Sequence, residues 1–390
     1  MRHLPHLSCV FSVFLVGAVP DGFAQERASQ AIVPAKPVQQ PPSKTVRRFV
    51  ICRDDDVHEC FPSLCKTTSG RLILAYRESD EHQPRKYTRL IVRLSDDNGA
   101  SWSGRYVLKS TQSDVPDGLY KLNCPKVQQL QDGRLLYLCD AFVNDLSKRR
   151  RDRYVGARIL FWFSDDNGTS WSEAIETDVG GVMPDEVVEL DARTWLLATH
   201  LPDAKDGHLV QYVTRSTDGG KTWGQRSVIA DRKGYNLCEA SIIKLSDGLL
   251  ICYMRENSGL GRPIYKSLSS DGGRTWDGPH ATQIDGGHRP VAHLTADGRI
   301  LVAYRYYPGR GVGMRNTFMY AESQASARQR ERSKQRGRIR PLDYDAHAHP
   351  DSGYTGWVEL APGEFYAVNY IRDDAPMAQI RGYRFAISAF

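Results

Sequence analysis

The sequence predicts an all-β fold, a six-bladed β-propeller, and three observations carry that prediction. An octet of the form Ser-x-Asp-x-Gly-x-Ser/Thr-Trp occurs four times, at Ser95–Trp102, Ser164–Trp171, Ser216–Trp223 and Ser269–Trp276, with starts 69, 52 and 53 residues apart. A period in this range marks one supersecondary unit copied along the chain. Between the octets runs a second repeat of 16 residues: an apolar alternating strand, a turn, and a further apolar strand that ends in a polar residue. It occurs six times, at Pro62–Arg77, Pro125–Asp140, Asp185–His200, Ala240–Arg255, Pro290–Arg305 and Thr355–Tyr370. The third observation is composition: 33 Gly and 20 Pro in 390 residues, with little helix-type periodicity, call for many short strands joined by turns.

Each element follows from its residues. In the octet, Asp is expected to bond its own backbone two residues on, Gly to take a left-handed conformation, and Trp to wedge an apolar surface between neighbouring units. In the 16-residue repeat, period-2 alternation around a Gly at the ninth place gives strand, turn and strand; Arg193 holds that place in the third copy. Six hairpins, four of them followed by an octet, give six blades of four strands each. In the fifth blade a basic insertion at about 324–345 stands where the octet would be, and the sixth has no octet. Arg47–Cys52 and Gly382–Ser388 are apolar enough to pair and close the ring, so one propeller domain is expected over 47–390.

Ahead of it, Arg2 and His3 precede the apolar run Leu7–Val19, which ends near Gly22-Phe23-Ala24. This is the layout of a secretory signal peptide over residues 1–24, too short to span a membrane. Residues 25–46, rich in Ala, Gln and Pro, read as a flexible linker. The expected location is secreted or periplasmic, with no stable membrane insertion after cleavage. Seven cysteines remain, an odd number, mostly within apolar strands, and read as buried free thiols. With no CxxC and no His/Cys cluster at zinc spacing, neither a metal nor a cofactor is expected. The net charge of +6 is local: Ala327–Arg340 carries seven basic residues and one acidic one. That run has no interleaved aromatics, so it reads as a solvated loop and not as a nucleic-acid face. Nothing in the sequence specifies an oligomeric state.

The repeat turns polar residues into rings. The sixteenth places are Arg77, Asp140, His200, Arg255, Arg305 and Tyr370, all polar after an apolar strand. The residues just before each copy are Phe61, Cys124, Pro184, Glu239, Arg289 and Tyr354. A hairpin returns the chain to the face it left, so both rings are expected around one central well. Charged strand ends are commonly a solvated rim. Three Arg, a His and an Asp at one structural place point instead to a ligand site. A Tyr beside a Glu is a nucleophile whose proton the Glu takes, and arginines hold an anion, most simply a carboxylate. Taken singly, Tyr354 reads as a packing aromatic and Glu239 as a partner that neutralises an arginine; it is their pairing beside the arginines that points to a site.

By its octets, known as Asp-boxes, and by these strand ends, the chain resembles the sialidase superfamily from about Val50 to the C-terminus. The resemblance implies a six-bladed propeller that hydrolyses terminal sialic acids of glycans with retention. It also implies a Tyr nucleophile, a neighbouring Glu, an Asp acid/base and three Arg around the substrate carboxylate. By motif, Tyr354 in DSGYTGWVEL is similar to the nucleophile and Glu239 in CEASIIKLSDG to its base. Arg255 in CYMREN and Arg315 opening RNTFMYAES are similar to two of the arginines. The family's remaining Arg stands in a Phe-Arg-Ile-Pro signature, where this chain has Glu59-Cys60-Phe61-Pro62; Arg77, Arg289 and Arg305 are candidates to compensate. The acid/base belongs to the loop Glu78–Arg89, where Asp80, Glu81 and His82 compete. The expected catalytic set is Tyr354, Glu239 and Asp80. The expected substrate contacts are Arg77, Arg255, Arg305, Arg315, Arg289, His82, His200, Asp140 and Tyr370.

The leading expectation is an exported exo-glycosidase acting on a terminal acidic sugar, sialic acid or a relative. One alternative is a polysaccharide lyase on uronate glycans, with His200, His288 or Tyr370 as base. The other is a non-catalytic carbohydrate-binding propeller.

Overall fold

The computed structural model describes residues 46–113, 119–145, 147–154, 156–311, 313–386 and 388, with backbone alone at 33–34 and 36–37. The expected signal peptide and most of the expected linker lie outside the described residues. Six antiparallel sheets follow one another along the chain, each starting with a 16-residue repeat. Blade one is His58–Lys66, Leu72–Ser79, Tyr87–Ser95 and Tyr106–Gln112, paired in that order. Blades two to five repeat the pattern, with inner strands Lys126–Gln129, Val188–Glu189, Leu237–Lys244 and Gly287–Leu294. Blade six takes three strands from the C-terminal end, Ser352–Ala361, Glu364–Ile371 and Gln379–Ala386. Its fourth is Val46–Cys52, which runs antiparallel to Gln379–Ala386 and closes the ring.

The core lies between the blades. One apolar cluster fills each of the six interfaces, such as Ile73, Val92, Tyr137 and Trp162 between blades one and two. Both faces of each sheet are therefore covered, which is why hairpin strands such as Leu72–Tyr76 read as unbroken apolar runs. The octet Trp residues join these clusters: Trp102 of blade one meets Tyr366 of blade six, and Trp223 of blade three meets Phe161 of blade two.

Each octet is knotted by its Asp. Asp97 accepts from Ser95 Oγ at 2.8 Å, from the Ser101 N–H at 2.9 Å and from Ser101 Oγ at 2.5 Å, and Ser95 Oγ accepts from the Gly99 N–H at 2.8 Å. Asp166, Asp218 and Asp271 repeat this. The backbone partner lies four residues on, not two as expected, because two consecutive left-handed residues, Asn98 and Gly99 in the first octet, coil the turn back over the carboxylate. Gly is obligatory at the second of them, since a Cβ on Gly99 would lie 2.5 Å from the Tyr366 ring.

The basic insertion differs from the expected solvated loop. Its C-terminal part, Gly337–Asp343, is the outer strand of blade five. Arg328 and Arg332 pair with Asp247 at 3.0 Å and Asp285 at 2.7 Å, and Arg330 pairs with Asp277, so the segment is latched to blade four and its exit loop. All seven cysteines from Cys52 to Cys252 are free, and all but Cys52 are buried.

Candidate active site

Five residues with left-handed backbone ring the axis: Phe61, Met183, Glu239, Arg289 and Tyr354, with φ between 47° and 58°. They are five of the eight non-glycine residues with positive φ among those described. Each costs about 1 kcal/mol or more relative to an ordinary conformation. In blades one, four, five and six the strand register shifts across this residue, for example between Cys238 and Ser241 and between Gly353 and Gly356. The bulge turns its side chain out of the pleat, and in blades four and six this carries Glu239 and Tyr354 into the well. In blade three the equivalent residue is Met183, one place before the expected Pro184. Blade two has no such bulge, and Cys124 is buried against its neighbours.

The well holds a cavity of about 380 Å³ lined by Glu239, Arg255, Arg305, Arg315, Tyr354, His82 and His288, among others. Tyr354 Oη donates to Glu239 Oε1 at 2.9 Å. Arg255 Nη1 donates to both Glu239 oxygens, at 2.8 and 2.9 Å, and Arg255 Nη2 to Asn257 Oδ1 at 2.6 Å. Burial opposes the charge on Glu239, but Arg255, Arg289 and Arg305 outweigh it and hold the carboxyl at about 2. Burial, reinforced by Glu239, pushes the Tyr354 phenol well above its usual range. The resting couple is therefore a neutral phenol on a carboxylate.

Arg305 is set by Gly353: a Cβ there would meet the Arg305 side chain at 3.1 Å. Its Nη1 donates to the Ser352 carbonyl at 3.0 Å, and Nη2 lies 3.4 Å from His288 Nδ1. Burial beside Arg255 and Arg305 drives the His288 pKa far down, so His288 is neutral. Arg315 is partly exposed, 3.8 Å from Asp351, with Tyr307 beneath its guanidinium.

Several expected contacts have other work. Arg77 does not line the cavity; it lies over Phe61 and donates to Asn123 Oδ1 at 3.1 Å and the His82 carbonyl at 2.9 Å. Arg289 is buried and donates to the Pro184 carbonyl at 2.9 Å. Asp140 accepts from the Cys124 N–H, Asn123 Nδ2 and the Met183 N–H, tying blade two to blade three. His200 Nδ1 accepts from the Glu239 N–H at 3.4 Å, and Tyr370 Oη donates to Asp351 Oδ1 at 3.0 Å. Cys60, at the place of the family Arg, is buried between blades six and one, and of the three candidate substitutes Arg305 alone lines the cavity.

Asp80 also falls outside the cavity lining. Its carboxylate accepts from the N–H groups of Arg85 and Lys86 at 3.1 and 3.2 Å, capping its own loop, while Glu81 pairs with Arg85 at 3.0 Å. The loop thereby brings His82 to the wall, where its Nδ1 is 2.8 Å from Asp351 Oδ2. Asp351 was not singled out from the sequence, nor was His58, whose Nε2 is 3.5 Å from the same oxygen. These three groups offer ligand atoms within 4.8 Å of one another, the spacing a metal ion needs, and Asp203, Asp206 and His208 do so on a surface loop. The shortest separation in the first group, His82 to Asp351, is that of a direct hydrogen bond. Also missed were Lys121, Arg153 and Arg310, cations of the cavity wall outside the 16-residue repeats.

A model described as a BNR repeat-like domain matches residues 121–329, more than half of the 390-residue chain. The chain belongs to this BNR repeat-like family. Similar solved structures agree on the fold of this BNR repeat-like protein. A protein of unknown function from Dyadobacter fermentans is 20% identical with a TM-score of 0.69, over 88% of this chain and 99% of that one. The Hadza microbial sialidase Hz136 is 19% identical with a TM-score of 0.63, over 85% of this chain and 66% of that one. The K499G mutant of NanB sialidase from Streptococcus pneumoniae is 13% identical with a TM-score of 0.60, over 87% and 70%. No curated protein matches the chain.

Proposed function

We propose that the protein is an exported exo-glycosidase that hydrolyses a terminal acidic sugar, sialic acid or a relative, with retention of configuration. The observation that carries this reading is the Tyr354–Glu239 hydrogen bond on the wall of a cavity shared with Arg255, Arg305 and Arg315. Tyr354 is the nucleophile and Glu239 takes its proton. A phenol suits a sugar whose reacting carbon already bears a carboxylate, because a neutral attacking group avoids like-charge repulsion. The three arginines hold that carboxylate.

Glu239 at about 2 is a weak base in the empty site. A substrate carboxylate on Arg255 and Arg305 shares their charge and raises the basicity of Glu239. The nucleophile is thus activated by the group it must recognise. His82, oriented by Asp351, donates the proton to the leaving oxygen and then accepts one from water. The lyase reading has less support, since of its three candidate bases His288 alone lines the cavity.

The test is a panel of fluorogenic glycosides of sialic acid, uronic acids and neutral sugars, with the anomer of the first product read by NMR. Release from an acidic glycoside with the anomer retained supports the reading. An unsaturated product supports the lyase, and binding without turnover the non-catalytic propeller.

A further inference from the structure

Blade two carries an addition that its neighbours lack. Its second strand, Leu135–Asn144, has ten residues against seven or eight in the other blades. The overrun, Ala141–Asn144, pairs with an added strand, Leu119–Leu122. A short helix, Arg150–Tyr154, packs on it, with Tyr154 edge-on to Phe142 at 5.2 Å. This cap forms the side of the cavity across from blades four and five. It contributes Lys121, Arg153, Asn144, Phe142 and Tyr154, with Asn123 just after the added strand.

Lys121 is the informative residue. It is 4% exposed, and among the described residues its polar contact is to an amide oxygen and not to a carboxylate. Its polar contact is Gln83 Oε1 at 3.5 Å, and its ammonium sits 5.5 Å from the Phe142 ring centre. Arg77 and Arg153 repel it, and the Asp140 oxygens nearby are taken by Asn123, Cys124 and Met183. Asp140 still attracts it, but no carboxylate stands at contact distance, and a buried ammonium in that position is costly unless a ligand supplies an anion.

We propose that the blade-two cap is a second anion subsite, in which Lys121 and Arg153 bind a further anionic substituent, a sulfate ester or a second carboxylate, on the glycan whose first carboxylate occupies the arginines. Resting on the acidic-sugar reading, this makes the preferred substrate doubly anionic. Phe142 and Tyr154 supply an apolar wall for the sugar ring, and Asn144 Oδ1 accepts from Arg153 Nη1 at 3.2 Å and so fixes that guanidinium in the cavity wall. Burial, with Arg77 adding to it, pulls the Lys121 ammonium down to about 7. An anion there favours the charged form, so binding takes up a proton above that pH and weakens as pH rises.

Calorimetry at pH 6, with Tyr354→Phe carried in every protein so that the glycans are bound and not hydrolysed, tests this with sialyllactose, its sulfated form and disialyllactose, and with a uronate disaccharide with and without sulfate. The otherwise wild-type protein is expected to bind a doubly charged member about tenfold to a hundredfold tighter than its singly charged counterpart. The arm that shows the preference tells sulfate from carboxylate. In Lys121→Met and in Arg153→Gln the ratio is expected to fall toward one. Binding of singly and doubly charged glycans alike by the otherwise wild-type protein overturns the subsite and leaves the acidic-sugar reading standing; binding of none overturns both. A ratio unchanged in a folded Lys121→Met protein also overturns the assignment.

Discussion

Tyr354→Phe separates a nucleophile from a packing aromatic. The hydroxyl makes one strong hydrogen bond, to Glu239 Oε1 at 2.9 Å, and a weak contact to the Met183 sulfur at 3.8 Å. A charge-assisted hydrogen bond contributes about 1.5–3 kcal/mol, and most damage comes from a buried partner left unpaired. Glu239 is not left unpaired, because Arg255 Nη1 still reaches both its oxygens at 2.8 and 2.9 Å. The ring contacts with Phe61 and Tyr370 are also kept. The expected stability loss is therefore about 1–2 kcal/mol, a few degrees at most in a domain of this size. Loss of a nucleophile lowers kcat by about 10⁴-fold or more, equivalent to over ~5 kcal/mol of barrier. The two magnitudes differ enough to be told apart in one preparation, with thermal unfolding and turnover of the best fluorogenic glycoside measured side by side. A folded Tyr354→Phe protein with kcat within tenfold of wild type would refute the mechanism.

Other perturbations follow from the same geometry. Arg305→Lys keeps the charge but loses the fork and the bond to the Ser352 carbonyl, so KM for the acidic sugar is expected to rise about tenfold or more in steady-state assays. Asp351 is buried, but His82 and His58 hold its carboxyl well below the usual range. A depressed carboxyl contributes stability that is present above its unfolded value, about 4, and lost as pH falls through the folded one. Asp351→Asn should flatten that acid limb in denaturant unfolding between about pH 5 and 2, and should lower kcat by removing the partner that orients His82. Glu59 has the opposite sign: burial lifts its carboxyl to about 8, and its Oε2 has no hydrogen-bond partner. A raised carboxyl is neutral in the folded protein at pH 7 but ionised when unfolded, a penalty that grows from about pH 4.5 to 8. Glu59→Gln is expected to stabilise at pH 7.5 and to do little at pH 4; an equal effect at both would contradict the burial argument.

What was legible in the sequence was what contiguous residues decide. An octet knots itself, and a hairpin needs its alternation and its turn, so both repeats could be read directly. Even the Tyr354–Glu239 couple, 115 residues apart, was reachable, because the repeat places both at one structural position. What lay beyond the sequence was the direction of side chains. Arg77, Arg289 and Arg305 read alike as residues near the well, but only the fold shows two of them held by backbone carbonyls away from the cavity. In blade three the left-handed residue is Met183 and not Pro184, whose ring forbids a positive φ, an offset that a pattern of residue types does not reveal. Lys121 and Arg153 stand outside the repeat, so no periodic position marks them. Asp351 precedes its hairpin by four places, outside both rings, so the repeat does not mark it.

The acid loop shows how the two kinds of information combine. Asp80 was the expected proton donor because it is a carboxylate in the right loop. The same short carboxylate is also what N–H groups five and six residues on can capture. Once Asp80 is used to fold the loop, the loop's polar side chains at the cavity are His82 and Gln83, and His82 is the titratable one, which comes to rest against Asp351. A carboxylate in the turn and an imidazole at the wall are thus consequences of one another. Asp80→Ala should therefore disturb activity through the position of His82, and Asp80→Asn, which retains one oxygen acceptor for those N–H groups, should disturb it less. A proton donor at position 80 itself would lose activity equally in both variants.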